Sequence, residues 1–184
     1  MGRQMLKAQI HVDMENTEAL VKKLKKASVS GFVVGIPGDA KNSETGKPIA
    51  EYAMYNEYGT STIPPRPFLS ISRRRFRDKW VDMLIGELDG QRGWRDWINA
   101  IISFVRGNRS ADIDRAAREA LHRVGRVAVA DVQSIIKSNV PPPNAKSYAA
   151  RKLRKRGHIN TLIDSGSMRD AVSYWLVDKE WNKI

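Results

Sequence analysis

The sequence predicts an α+β fold: a small, mostly antiparallel sheet packed against several helices, one of them long, with an extended arm rich in proline and basic residues. Three observations indicate it. Apolar and polar residues alternate over residues 6–14, which is the period of a half-buried strand. Between Ser110 and Ser138, apolar residues recur every three or four positions, which is the period of a helix. Three consecutive prolines, 141–143, precede a run of basic side chains.

The first predicted elements are short. The strand over residues 6–14 is followed by Asn16, a residue type suited to cap a short helix. Residues 32–36 (FVVGI) predict a second strand, which a Pro-Gly pair ends. Because the connection between the two strands is short, the sequence leaves open whether they pair parallel or antiparallel.

A helix and a proline-rich segment form the next part. The helix is predicted over residues 48–58, with proline at its first position and Gly59 closing it. Residues 63–69 (IPPRPFL) hold three prolines in four positions. Proline fixes the backbone torsion, so this segment is expected to run extended and to present Phe68 as an apolar anchor.

Three helices are predicted in the middle of the chain. Either Ser70 or Ser72 is suited to cap the first, whose apolar residues recur every four positions as far as Leu88. Residues 86–110, rich in tryptophan, predict a second helix; they match no motif of the resemblance described below, and for that reason we expect them to be an insertion. The third and longest helix is expected from Ser110 to about Ser138.

The C-terminal part begins with the predicted arm, residues 139–160. Its prolines form a spacer, and Asn144 is suited to cap a short basic helix that stops at Gly157. Loops of that length are usually functional or disordered, so we expect the arm to become ordered on assembly and to be cut first by proteases in the free protein. After a helical turn, the last strand is predicted over residues 172–177. Residues 1–184 are expected to form one domain.

Composition excludes several classes of protein. The chain has no cysteine and only three histidines, far apart, which excludes disulfides and thiolate sites and argues against a metal centre. It has no apolar run that approaches the ~20 residues of a membrane span and no apolar stretch near its start, so we expect a soluble intracellular protein. Its net charge is +12, which favours a polyanionic partner over a merely solvated surface.

The basic residues concentrate in two clusters. They are the candidate groups that face DNA or an acidic partner: Arg73, Arg74, Arg75, Arg77, Lys152, Arg154, Lys155 and Arg156. Two such clusters are suited to line a groove for a phosphate backbone.

No catalytic motif is present. Gly46-Lys47 resembles a phosphate-binding loop, but Lys41 and Pro48 stand where that loop needs glycine and a hydroxyl residue. The chain has no Gly-x-Ser-x-Gly turn for a nucleophile. We therefore predict that it is not an enzyme and has no catalytic, cofactor or metal residues.

Several motifs resemble a known family. They are VGIPGDA, IAEYAMYNEYGT and IPPRPFL between Val34 and Leu69, then NVPPPN followed by the basic helix, and last LIDSGSMRDAVSYWLV. Together they are similar to the tail-completion family of tailed bacteriophages, the minor tail protein Z-like or virion morphogenesis group. The matching residues expected to serve an interface or the fold are Asn56, Glu57, Gly59, Arg66, Pro67, Phe68, Asp164 and Gly166.

The resemblance implies a structural role in the virion neck or upper tail, with no enzyme activity and no cofactor. Copies are expected to form a ring, six-fold, around the DNA path, which completes or terminates the tail and joins it to the filled head. Implied partners are the chain itself, neighbouring neck and tail-tube proteins, and genome DNA through non-specific contacts, with no membrane; assembly would take place in the host cytoplasm. Tail terminator, tail completion and head closure all stay open.

Two other functions stay open. The first is a stand-alone nucleic-acid-binding protein, which would hold DNA at physiological salt with a steep salt dependence. The second, more distant, is a metal-dependent nuclease built on paired carboxylates such as Glu51 and Glu57.

Overall fold

The computed structural model of the chain describes residues 7–8, 29–89 and 109–184. The elements, in chain order, are β1 (Lys7–Ala8), β2 (Gly31–Gly35), α1 (Ile49–Tyr58), α2 (Phe68–Asp89), α3 (Arg109–Lys137), α4 (Lys146–Arg156), α5 (Ser167–Asp170) and β3 (Ser173–Val177). A small sheet accompanied by several helices, one of 29 residues, confirms the α+β prediction.

The strands form one sheet in the order β1-β2-β3. β1 and β2 are antiparallel, with Lys7 opposite Gly35 and Ala8 opposite Val34, which answers the question that the sequence leaves open. Phe32, Val33 and Val34 are all buried, so β2 has apolar neighbours on both faces, as its continuous apolar run predicts. The remainder of the first predicted strand and the helix after Asn16 lie outside the described residues.

The long helix α3 confirms the periodicity between Ser110 and Ser138. Its apolar stripe is almost fully buried over the described positions, which are Ala117, Ala120, Leu121, Val124, Ala128, Val132, Ile135 and Ile136. The stripe lies on one face because residues three and four apart in a helix are neighbours. Most of the Trp-rich insertion, residues 90–108, lies outside the described residues; α2 reaches Asp89 and α3 begins at Arg109.

The chain divides into two compact units. The first contains the described residues of Met1–Gln9, together with Val34–Phe76 and Ala128–Tyr174; the second contains those of Ile10–Val33, Arg77–Val127 and Trp175–Ile184. The expectation of one domain over residues 1–184 stays a prediction. No helix in the described part of the chain is both long and apolar enough to cross a membrane.

Residues 139–160 contain the short basic helix that the sequence predicts, and hydrogen bonds join the segment to other residues of the first unit. Half of the segment is the helix α4, which ends at Gly157 in a left-handed conformation, φ +74°, as expected. Asn144 does not cap α4, because Ala145 holds the N-cap position and makes no side-chain cap bond. Asn144 instead donates to the carbonyls of Ile159 and Asn160. The segment is therefore folded back on itself by hydrogen bonds.

Candidate functional site

The side chain of Glu57 caps the N-terminus of α2. It lies near the end of α1, is only 4% exposed, and its carboxylate accepts hydrogen bonds from the backbone N–H groups of Leu69 (2.9 Å) and Ser70 (3.0 Å). The prediction that Ser70 or Ser72 caps this helix is wrong, because the helix begins at Phe68. Ser72 donates its hydroxyl back to the Phe68 carbonyl. Glu57 thus provides the acceptor, and the negative charge, that an N-terminus favours.

Gly59 ends α1 in a positive-φ conformation that favours glycine. Its φ is +77° and ψ is 175°, and its N–H donates to the Tyr55 carbonyl. A Cβ at this position would lie 3.0 Å from both the Ile63 carbonyl oxygen and Pro65 Cδ. The chain can therefore turn this tightly into the proline-rich segment because residue 59 has no side chain.

Arg66 joins the proline-rich segment to the three prolines far along the chain. It is 5% exposed; its Nε donates to the Pro142 carbonyl (2.7 Å) and its Nη2 to the Pro143 carbonyl (3.3 Å). Nη2 also reaches Asn144 Oδ1 at 3.4 Å. Burial lowers the pKa of the guanidinium. Phe68, two residues on, is fully buried, so the apolar anchor is seated within the folded chain itself.

Two basic residues hold α4 in place. Lys152 is 4% exposed, its Nζ donates to the Asn160 carbonyl at 2.6 Å, and burial lowers its pKa. Arg156 forms hydrogen bonds with both carboxylate oxygens of Glu44 and, at 3.2 Å, with Asp164. The bond with Glu44 is the main cause that raises the pKa of Arg156 and lowers the pKa of Glu44.

These contacts correct the predicted basic face. Lys152 and Arg156 were both expected to face DNA or a partner, but Lys152 is buried and Arg156 is committed to two carboxylates of its own chain. Arg154 and Lys155 are exposed, as are Lys146 and Arg151 on the same helix. The cluster therefore splits into inner side chains that hold the helix and outer side chains that face solvent.

The basic cluster on α2 has no fully buried member, unlike the cluster on α4. Arg73, Arg74 and Arg75 are exposed and Arg77 is half-buried. The guanidinium of Arg75 stacks over the Phe76 ring, 5.5 Å from its centroid.

The second motif of the resemblance surrounds α5. Asp164 does not cap this helix, since Asp164 bonds to Arg156 and Gly166 holds the N-cap position without a side-chain bond. Gly166 has φ +91°, and a Cβ there would lie 3.1 Å from Arg169 Nη2.

The two remaining residues of the first motif are placed as follows. Pro67 is half-buried just before α2, and Asn56 donates its side-chain N–H to the Tyr52 carbonyl.

Asn160 is a residue that the sequence analysis missed. Its side-chain oxygen accepts from the N–H groups of Leu162 and Ile163, both at 3.0 Å, and its side-chain nitrogen donates to the Lys137 carbonyl. Its own carbonyl receives Lys152. An asparagine in the loop after a helix is a signal for an Asx turn; this signal predicts the turn at Asn160 but not the bond from Lys152.

The described residues hold no group of three or more histidine, cysteine or acidic side chains placed to bind a metal ion. Comparisons with known proteins found no match to the chain among family models, curated proteins or solved structures.

Proposed function

We propose that this chain is a structural protein of the neck or upper tail of a tailed bacteriophage, where it completes or terminates the tail and joins it to the DNA-filled head. It acts without enzyme activity or cofactor. Copies form a ring, six-fold, around the DNA path and contact neighbouring neck and tail-tube proteins. The ring is assembled in the host cytoplasm and stays in the virion.

One observation carries the proposal: separate motifs of the resemblance bond to one another within the first unit. Arg66 of the IPPRPFL motif donates to the prolines of NVPPPN, and Arg156 reaches Asp164 of the LIDSGS motif. The helices α1 and α5, which carry parts of two motifs, contact each other. These contacts support the proposal because they bring together, in one folded unit, the segments that carry the resemblance.

The location of the protein tests the proposal. Purified virions of the encoding phage, labelled with gold-conjugated antibodies against this chain, should show gold at the junction of head and tail. Gold confined to the head surface or the tail tip, or no chain in washed virions, would contradict it. Antibodies against the major capsid protein serve as the control for labelling efficiency.

A stand-alone nucleic-acid-binding protein is the second candidate, and the exposed arginines of α2 favour it: Arg73, Arg74 and Arg75. A dedicated binder should hold DNA at physiological salt, whereas a neck protein should hold it only weakly until the ring has assembled. Titration of the purified chain with duplex DNA at about 150 mM salt separates the two functions.

A further inference from the structure

The helix α4 has an inverted arrangement of polar and apolar side chains. The positions turned inward are Ala149, Lys152 and Arg156, which are the only buried or half-buried ones on the helix. Their spacing of three and four places them on one face. The larger apolar residues, Tyr148 and Leu153, are 38% and 52% exposed. Polar bonds hold this helix where apolar packing holds most helices, and its outer surface is left for another contact.

The outer surface of α4 is basic and contains no acidic side chain. At about 100° per residue, the direction opposite the inner face is occupied by Ser147, Ala150, Arg151 and Arg154, with Lys146 and Lys155 to the sides. The four cations define the outer basic face: Lys146, Arg151, Arg154 and Lys155. In the described part of the chain, no carboxylate forms an ion pair with any of them.

This composition favours a phosphate backbone over an acidic protein. The centre of a protein interface is usually apolar, with aromatic side chains and few lysines. On α4 the apolar Tyr148 and Leu153 lie on opposite flanks, and the centre of the outer surface holds small and charged side chains. Contacts to phosphates need only cations and small side chains that permit a close approach. From Lys146 to Lys155 the helix rises about 13 Å, which spans several phosphates of one strand.

We infer that the outer basic face of α4 binds the sugar–phosphate backbone of duplex DNA without sequence preference. The inference deepens the proposed function and rests on it for one point, that the duplex in the virion is the genome. Lys152 and Arg156 take no part in this binding, because their charged groups are engaged inside the chain.

Salt-dependent binding to a defined duplex tests the inference. The purified full chain is titrated into a fluorescent duplex of about 20 base pairs, at salt concentrations from about 50 to about 200 mM, and the slope of log K against log salt is measured. The variant replaces all four cations of the outer basic face by glutamine. Its slope should be shallower than the wild-type slope by about 3 to 4, and that of Arg154→Gln alone by about 1.

A charge-matched control separates the site from the net charge of the chain. It replaces four exposed lysines outside the two basic clusters by glutamine: Lys41, Lys47, Lys137 and Lys183. Its slope should stay within about 1 of the wild-type slope. Circular dichroism and the unfolding midpoint establish that both variants are folded.

Three results would overturn the inference. The first is an equal loss of slope in the variant and the control, which would assign the binding to net charge. The second is a loss that follows substitution of Arg73, Arg74 and Arg75 but not of the outer basic face. The third is binding of wild-type chain to polyglutamate but not to the duplex at low salt, which would indicate an acidic protein partner. None of these results bears on whether the chain lies in the virion neck, which the gold labelling tests separately.

Discussion

Three charged side chains of the first unit are almost fully buried: Glu57, Arg66 and Lys152. A buried charge is costly unless hydrogen bonds replace its water, and each of the three bonds to backbone groups outside its own helix or segment. The sequence predicts Lys152 on a partner-facing surface, and Glu57 and Arg66 in motifs that serve an interface or the fold. It could not separate these cases, because a lysine in a basic run looks the same whether it points in or out.

Replacing Glu57 by glutamine tests the cap of α2. The amide turns one acceptor into a donor that faces the N–H groups of Leu69 and Ser70, so the free energy of unfolding should fall by about 1 to 2 kcal/mol. Glu51→Gln is the control on the same helix, since Glu51 is exposed and bonds to the Tyr55 hydroxyl; it should change stability by less than about 0.5 kcal/mol. Urea unfolding measures both, and equal losses would contradict the cap.

Replacing Gly59 by alanine tests the turn after α1. Both Gly59 and Gly46 have positive φ, +77° and +68°, but a Cβ meets atoms at 3.0 Å only in the first case and nothing within 4 Å in the second. Gly46→Ala should therefore cost about 1 kcal/mol for backbone conformation alone, and Gly59→Ala about 2 to 3 kcal/mol. Urea unfolding of the pair measures the difference. A smaller loss for Gly59→Ala than for Gly46→Ala would mean that the turn relaxes without cost.

At the scale of elements, the bounds of α1 and α3 and the glycines that end α1 and α4 were predictable, and the N-caps of α2 and α4 were not. Pro48, Gly59 and the long apolar stripe are local signals, readable within one window of sequence. The cap of α2 comes from Glu57, and the contacts of α4 come from Glu44, Asn160 and Asp164. A local sequence pattern does not show which residue of another element will form a hydrogen bond. For this reason the sequence predicts residues 139–160 as an extended arm.

Limited digestion with trypsin tests whether Arg66 holds the segment that carries α4. In the wild-type chain, the helix and its polar contacts should slow cleavage within Lys146–Arg156. Arg66→Gln removes the donors to Pro142 and Pro143, so cleavage there should become several-fold faster as local opening becomes easier. Arg74→Gln, an exposed residue on α2, should leave the rate unchanged. If the wild-type chain were cut there first, the segment would be a free arm as the sequence predicts.

Acid should weaken the attachment of α4 at Glu44. The bond with Arg156 lowers the pKa of Glu44 in the folded chain, so the stabilisation is present above its unfolded pKa of about 4.3. It is lost as the pH falls through the lower pKa of the folded state. The difference in urea midpoint between wild-type and Glu44→Gln chains should therefore shrink below pH ~4. In the Arg156→Gln background, the same substitution should have little effect at any pH; a difference that grows in acid would contradict the pairing.

At the scale of the whole molecule, the fold class was predictable because strand and helix periods are strong in β2, α1 and α3. The proposed function rests on motifs rather than on any single pattern, and in the structure Arg66 and Arg156 form hydrogen bonds between these motifs. The role of the Trp-rich segment and the state of assembly were beyond the sequence, since both depend on surfaces that a single chain does not define.

Electron microscopy of a lysate of the encoding phage, with this gene interrupted, tests the proposed role most directly. The account predicts DNA-filled heads and separate, unattached tails, some of irregular length, with complete virions restored when the wild-type gene is supplied from a plasmid. Complete, normal virions in the interrupted strain would contradict the account and would move the basic surfaces of α2 and α4 to a nucleic-acid function outside the particle.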